Sequence, residues 1–135
     1  MTRRLNPEIF ELENPIKVFS ITAESFPGGV MKAHETLHGI ASLDPKRQYF
    51  GISWGGPSIT YKAAATEVSE GELKDKGLEE FTIRAGKYLS VKLDDLGQIK
   101  DVFPELIQDS RVDPRGYCVE MYLDDNDVRC MVTTK

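Results

Sequence analysis

The sequence predicts an α+β domain in which antiparallel sheets are covered by two helices. Three observations predict it. Short runs rich in β-branched and aromatic residues alternate with Gly/Pro-rich breaks, the mark of strands and turns. Two segments space their apolar residues at helical intervals instead. The order strand, helix, strand, strand occurs twice, over residues 16–68 and 87–134, with a tyrosine opening the strand after each helix (Tyr49 and Tyr117). A duplicated unit of this kind leaves a cleft between its halves, a common place for a ligand.

Taken in order, residues 1–14 are polar and read as an N-terminal arm, and residues 15–135 as a single domain. Ile16–Thr22 is a strand, and Phe26-Pro27-Gly28-Gly29 a turn. Val30–Ser42 places Val30, Ala33, Leu37, Ile40 and Ala41 on one helical stripe, and Asp44-Pro45 ends it. Gln48–Trp54 and Ile59–Val68 are strands around the break Gly55-Gly56-Pro57, followed by a charged loop over Gly71–Gly77. Glu80–Arg84, an extra strand outside the repeat, and Lys87–Leu93 flank Ala85-Gly86. Gly97–Asp109 carries Ile99, Val102, Phe103, Leu106 and Ile107 at helical spacing, with Pro104 set to kink or break it. After the turn Asp113-Pro114-Arg115-Gly116, Tyr117–Asp124 and Asp127–Thr134 form a hairpin around Asp125-Asn126.

Bulk properties narrow the function. At 135 residues the chain can bury a core without staples, and 40% hydrophobic with 29% charged residues is ordinary for a globular protein. No run approaches the roughly 20 apolar residues of a membrane span, and the basic N-terminus lacks the apolar stretch of a secretory signal. Two cysteines are too few for a disulfide framework, so a cytoplasmic location is expected. The net charge is −5 and no basic cluster exceeds Arg3–Arg4, which argues against direct nucleic-acid binding. No membrane partner is expected, and a monomer or weak dimer fits.

The last hairpin can be read face by face. With Asp125-Asn126 as a two-residue turn, Leu123 faces Val128, Met121 faces Cys130 and Val119 faces Val132. These six apolar residues would pack on the helices. Cys118, Glu120 and Tyr122 would then share the other face with Thr133, Met131 and Arg129, and Cys118 and Cys130 would lie on opposite faces. Glu120 in mid-strand among apolar neighbours stands out, because a carboxylate is depleted there and costly to bury unpaired. It is either an exposed residue paired diagonally with Arg129, or a pocket carboxylate awaiting a cationic or hydrogen-bonding ligand.

Three segments, in order, resemble the GyrI-like family, the effector-binding domains also found in AraC-type and MerR-type multidrug regulators. They are Ile52-Ser53-Trp54 with the strand that follows, the run Gly77–Tyr88 containing Phe81-x-Ile83-x-Ala85-Gly86-x-Tyr88, and Gly116–Tyr122 ending in Glu120-x-Tyr122. Phe26-Pro27-Gly28-Gly29 also fits. The resemblance covers about residues 15–135 and implies a pseudo-twofold duplication with an aromatic or cationic compound in the central cleft. It implies that Glu120 contacts that compound. By position, Trp54, Tyr61 and Tyr122 would line the cleft, with Phe50 and Met131 behind them and Cys118 as a small apolar wall. No DNA-binding domain accompanies the segment, so a stand-alone member that senses or sequesters a toxin or drug is expected, with no cofactor. The same resemblance allows a hydrolase of strained cyclopropane-type genotoxins, with Glu120 and Tyr122 as its catalytic groups.

His34-Glu35-Thr36-Leu37-His38 also matches H-E-x-x-H, the zincin helix motif. No other histidine exists in the chain, so a third ligand would have to be a carboxylate such as Glu105 or Asp109. The same helix is needed to cover the sheet, and no metal is expected. Gly55-Gly56-Pro57-Ser58 lacks the Lys-Ser/Thr of a phosphate loop and reads as a turn.

Overall fold

The computed structural model describes residues 6–55, 59–123 and 127–135. The expected Asp125-Asn126 turn, Gly56-Pro57-Ser58 and the Arg3–Arg4 pair lie outside them. The elements are β1 (Glu8–Leu12), β2 (Ile16–Thr22), α1 (Val30–Ile40), β3 (Tyr49–Trp54), β4 (Thr60–Ala65), β5 (Glu79–Ile83), β6 (Gly86–Leu93), α2 (Ile99–Leu106), β7 (Cys118–Tyr122) and β8 (Val128–Thr133). A single 3-10 turn, Leu96–Gln98, leads into α2. The α+β class and the position of each expected helix and strand match within a few residues. Among the described residues, no helix is long and apolar enough to cross a membrane.

All eight strands join one antiparallel sheet in the order β1-β6-β8-β7-β3-β4-β2-β5. Part of the segment expected as a polar arm is strand β1, which pairs with β6 from Glu8↔Ser90 to Leu12↔Gly86. Its alternation is short, but Phe10 and Leu12 fall on one face and pack there. β5, the extra strand, pairs with β2 at the opposite edge.

Both helices lie on the same face of this sheet. Residues directly across an antiparallel ladder share a face, so the pairs Phe19↔Ala65, Gly51↔Ala63, Gly51↔Glu120, Glu120↔Cys130 and Val91↔Cys130 trace one surface across the sheet. On it, α1 buries Ala33 and Leu37 against Phe19, Ala63 and Ala65, while α2 sets Val102 and Leu106 on Leu89, Leu93, Val128, Cys130 and Val132. Full burial of a leucine such as Leu37 stabilises by about 2 kcal/mol. α2 ends at Leu106, two residues past Pro104, where a proline has removed a helix donor. The second face curls in on itself. Ile83 from β5 and Tyr88 from β6 meet Phe50, Ile52, Val119 and Met131 from the middle, with Phe10 and Phe81 from the two edges packed against them.

The register of the β7–β8 hairpin is one residue away from the expected one. Glu120 faces Cys130, Cys118 faces Val132 and Tyr122 faces Val128, and the Leu123 amide donates to the Asp127 carbonyl at 3.0 Å to close the ladder. Three residues, 124–126, connect these ends rather than two, and an odd connection exchanges the faces. Val119 and Met121 therefore point into the curled face, away from the helices. Glu120 points to the helix side. Cys118 and Cys130 share that side, not opposite ones, and both are free thiols. Arg129 faces away from Glu120: it bonds Ser90 Oγ at 2.7 Å, reaches Glu8 at 3.4 Å and sits 4.4 Å over the Phe10 ring.

Candidate functional site

Glu120 lies on β7 at the centre of the sheet, where β3 and β7 pair, on the face that carries the helices. Its residue is 8% exposed. The Tyr61 hydroxyl on β4 donates to Glu120 Oε1 at 3.0 Å, and the Tyr122 hydroxyl, two residues along β7, donates to the same oxygen. Tyr61 reaches across because position 51 between them is glycine: a Cβ there would lie 2.5 Å from Glu120 Oε1 and closer still to Tyr61 Oη. A glycine inside a strand marks such a close approach.

α1 completes the network. His34 Nε2 is 2.7 Å from Tyr61 Oη. The Tyr61 proton is committed to Glu120, so the histidine donates Nε2–H to the phenolic oxygen. The His34 ring stands edge-on to Tyr122 (5.7 Å between centroids, 87°) and to Tyr61 (5.7 Å, 66°). Burial, and secondarily the neighbouring His38, holds the His34 pKa down at about 4, so it is neutral at neutral pH. Burial pushes the Glu120 carboxyl above its ordinary range, and the two hydroxyl donors oppose that rise. The same burial, with the carboxylate alongside, raises the Tyr61 and Tyr122 hydroxyls so that both stay protonated donors. Burial also raises the Cys118 thiol to about 11 and the Cys130 thiol to about 12.

A cleft of about 700 Å³ opens in front of His34 and Tyr122. It runs past the paired rings of His38 and Tyr49 (4.5 Å apart) to Leu43, Asp44 and Pro45, with Leu123 on the facing side. Arg47 forms its inner wall, held at 2.9 and 2.7 Å by the Ser42 and Thr66 carbonyls and at 2.7 Å by Glu72. Leu43 is 76% exposed and Leu123 43%, so the lips of the cleft are apolar.

Of the residues expected at the site, Glu120, Tyr61, Tyr122 and Cys118 come together on the helix face. Phe50 and Met131 do not: both are buried on the curled face. Trp54 also lies there, in a ring cluster with Phe81 (5.3 Å) and Tyr117 (5.7 Å). Alternation explains all three, because neighbours of a helix-facing residue on a strand point the other way. Sequence reasoning missed Gly51, Tyr49 and the role of His34. The mid-strand glycine was the available signal. His34 and His38 lie 6.3 Å apart, ring to ring, but His34 Nε2 is engaged by Tyr61. Among the described residues, no group of three potential ligands could hold a metal ion, Glu105 and Asp109 included.

No family model matches the sequence, and no curated protein matches it at significant similarity. Solved structures do match its fold. One is an integron cassette protein, VCH_CASS2, from the mobile metagenome of Vibrio cholerae (TM-score 0.71, 16% identity, 96% of this chain and 95% of that one). A second is SAV2435 bound to tetraphenylphosphonium (0.69, 14%, 97% and 94%). A third, from Staphylococcus aureus MU50, is described as a candidate bacterial transcription regulation protein (0.66, 14%, 98% and 99%). At these identities the likeness is one of fold.

Proposed function

We propose that this chain is an effector-binding domain of GyrI-like type that takes a small aromatic cation in the cleft above Glu120, as in drug or toxin sensing or sequestration. One observation carries the reading: a carboxylate with no cationic partner among the described residues, nearly buried, is held by two tyrosine hydroxyls beneath an aromatic-lined opening. A buried charge without a counter-ion is costly, and an incoming cation would supply one. Aromatic walls suit the flat face of such a ligand. The likeness in fold to a protein solved with tetraphenylphosphonium supports the same ligand class. The palindromic strand order about the β3–β7 pair supports a duplicated, pseudo-twofold domain over residues 15–135.

The test is thermal denaturation of wild type and Glu120→Gln with tetraphenylphosphonium and with neutral triphenylphosphine oxide. Ligand at 100 times its Kd stabilises the native state by about 2.7 kcal/mol. A shift with the cation alone, lost in the variant, is the expected result. Equal shifts for both compounds, or for both proteins, would sink the reading. Turnover of a strained cyclopropane electrophile, abolished by Glu120→Gln, would instead favour the hydrolase.

A further inference from the structure

We infer that the site selects cations that donate an N–H bond over quaternary cations of the same size and charge, because one oxygen of Glu120 is capped and the other is open. This rests on the reading above and names the ligand class within it. Both tyrosine hydroxyls close on Oε1. No other hydrogen bond reaches the carboxylate from the described residues, and none of their buried side-chain oxygens or nitrogens lacks a partner. Oε2 thus has no hydrogen-bond partner among the described residues, and Glu120 keeps 8% exposure directly behind Tyr122, which lines the cleft together with His34.

The chemistry of the two oxygens then differs. Oε1 already accepts two O–H donors, so little of its capacity is left for a ligand. Oε2 keeps its lone pairs in a weakly solvated setting, where a charge-assisted N–H···O bond is short and strong. A protonated heteroaromatic nitrogen can approach to hydrogen-bond distance with its ring edge-on to the carboxylate and its faces along Tyr122 and His34. A quaternary centre carries its charge beneath carbon and cannot. It gains Coulomb attraction at longer range but leaves Oε2 desolvated without a donor, which costs binding free energy. His34 cannot fill that role, since its Nε2–H is spent on Tyr61.

The experiment is calorimetric titration of the full chain with a matched pair: 4-(dimethylamino)quinolinium, protonated on its ring nitrogen at neutral pH, and its 1-methyl quaternary analogue. The two share charge and ring system and differ by N–H against N–CH3. The expected result is tighter binding of the protonated compound by about tenfold, the range of one hydrogen bond to a charged group. Glu120→Gln should bring the ratio close to one. Tyr122→Phe should keep it, because that hydroxyl serves Oε1. Equal affinities in wild type overturn the inference while leaving the cation site standing. Preference retained in Glu120→Gln places the N–H acceptor elsewhere and also overturns it. Failure of both compounds to bind removes the underlying reading and the inference with it.

Discussion

Gly51 stands directly across from Glu120 in the β3–β7 ladder, and a Cβ at position 51 would lie 2.5 Å from Glu120 Oε1. The site therefore depends on a residue that contributes no side chain to it. Gly51→Ala is expected to cost about 1–3 kcal/mol through overpacking, and to abolish ligand binding. Urea unfolding and the thermal-shift assay read the two effects. Adding Tyr61→Phe removes the closer of the two clashing oxygens, so the double variant should lose less stability than the two single losses summed. Simple additivity would show that the clash is relieved elsewhere.

The two titrating groups of the network pull stability in opposite directions with pH. His34 has a folded pKa of about 4, below its ordinary 6.5, so the unfolded chain takes up the proton first. Its contribution is present above pH 6.5 and is lost as pH falls from 6.5 towards 4. His34→Gln, which keeps a donor for Tyr61, should flatten the decline of the urea midpoint over that window. Glu120 has a raised folded pKa, so its contribution is present below the ordinary carboxylate range and is lost as pH rises through the raised value. Glu120→Gln should therefore gain on wild type as pH is raised from 5 to 8. A constant difference between them would contradict the desolvated carboxylate.

Both cysteines should be slow to react in the folded protein. A thiol held at about 11 or about 12 carries almost no thiolate at pH 8. Titration with a chromogenic disulfide reagent at pH 8 should give two equivalents in urea and far slower reaction without it. Half-buried Cys118 should precede buried Cys130. Rapid native reaction of either would show a thiolate stabilised by something these surroundings do not provide.

Arg47 is a structural wall of the cleft. Its guanidinium fork holds the Ser42 and Thr66 carbonyls and Glu72 at once, which a lysine ammonium on a single stem cannot do with the same geometry. Arg47→Lys should lower the urea midpoint and weaken ligand binding together. Weaker binding with unchanged stability would make Arg47 a ligand contact instead.

Much of this architecture is legible in the sequence because it rests on periodicity. The apolar stripe Val30, Ala33, Leu37 and Ala41 can only bury itself as a helix, and the β-branched runs are bounded by glycine and proline. Glu120, Tyr61 and Tyr122 were readable as a set from the oddity of a mid-strand carboxylate and from the family resemblance. Parity was not readable. Whether residue 120 faces the helices depends on whether two or three residues link β7 to β8, and Asp124-Asp125-Asn126-Asp127 permits either. That single unit moved Met131 away from the carboxylate and removed Arg129 as its partner, whereas Phe50 and Trp54 face away because β3 sets Gly51, not Phe50, across from Glu120. β1 escaped notice because Glu8-Ile9-Phe10-Glu11-Leu12 is too short and too acidic to declare itself without β6 beside it. His34 was drawn towards a metal motif by its spacing from His38, a pattern that any solvent-edge helix can produce.

The two edge strands carry a consequence for how the cleft is kept open. Residues 8–65 begin with β1, which is laid on β6, and residues 79–133 begin with β5, which is laid on β2. Each stretch lends its leading strand to the other, a reciprocal handshake around the β3–β7 joint. The joint thus cannot be prised apart at the centre without also peeling both arms from the far edges. The centre of the sheet, where Gly51 meets Glu120, is braced from outside. Glu120 is in this sense at the keystone position of an interlocked frame, held in place from both edges of the sheet.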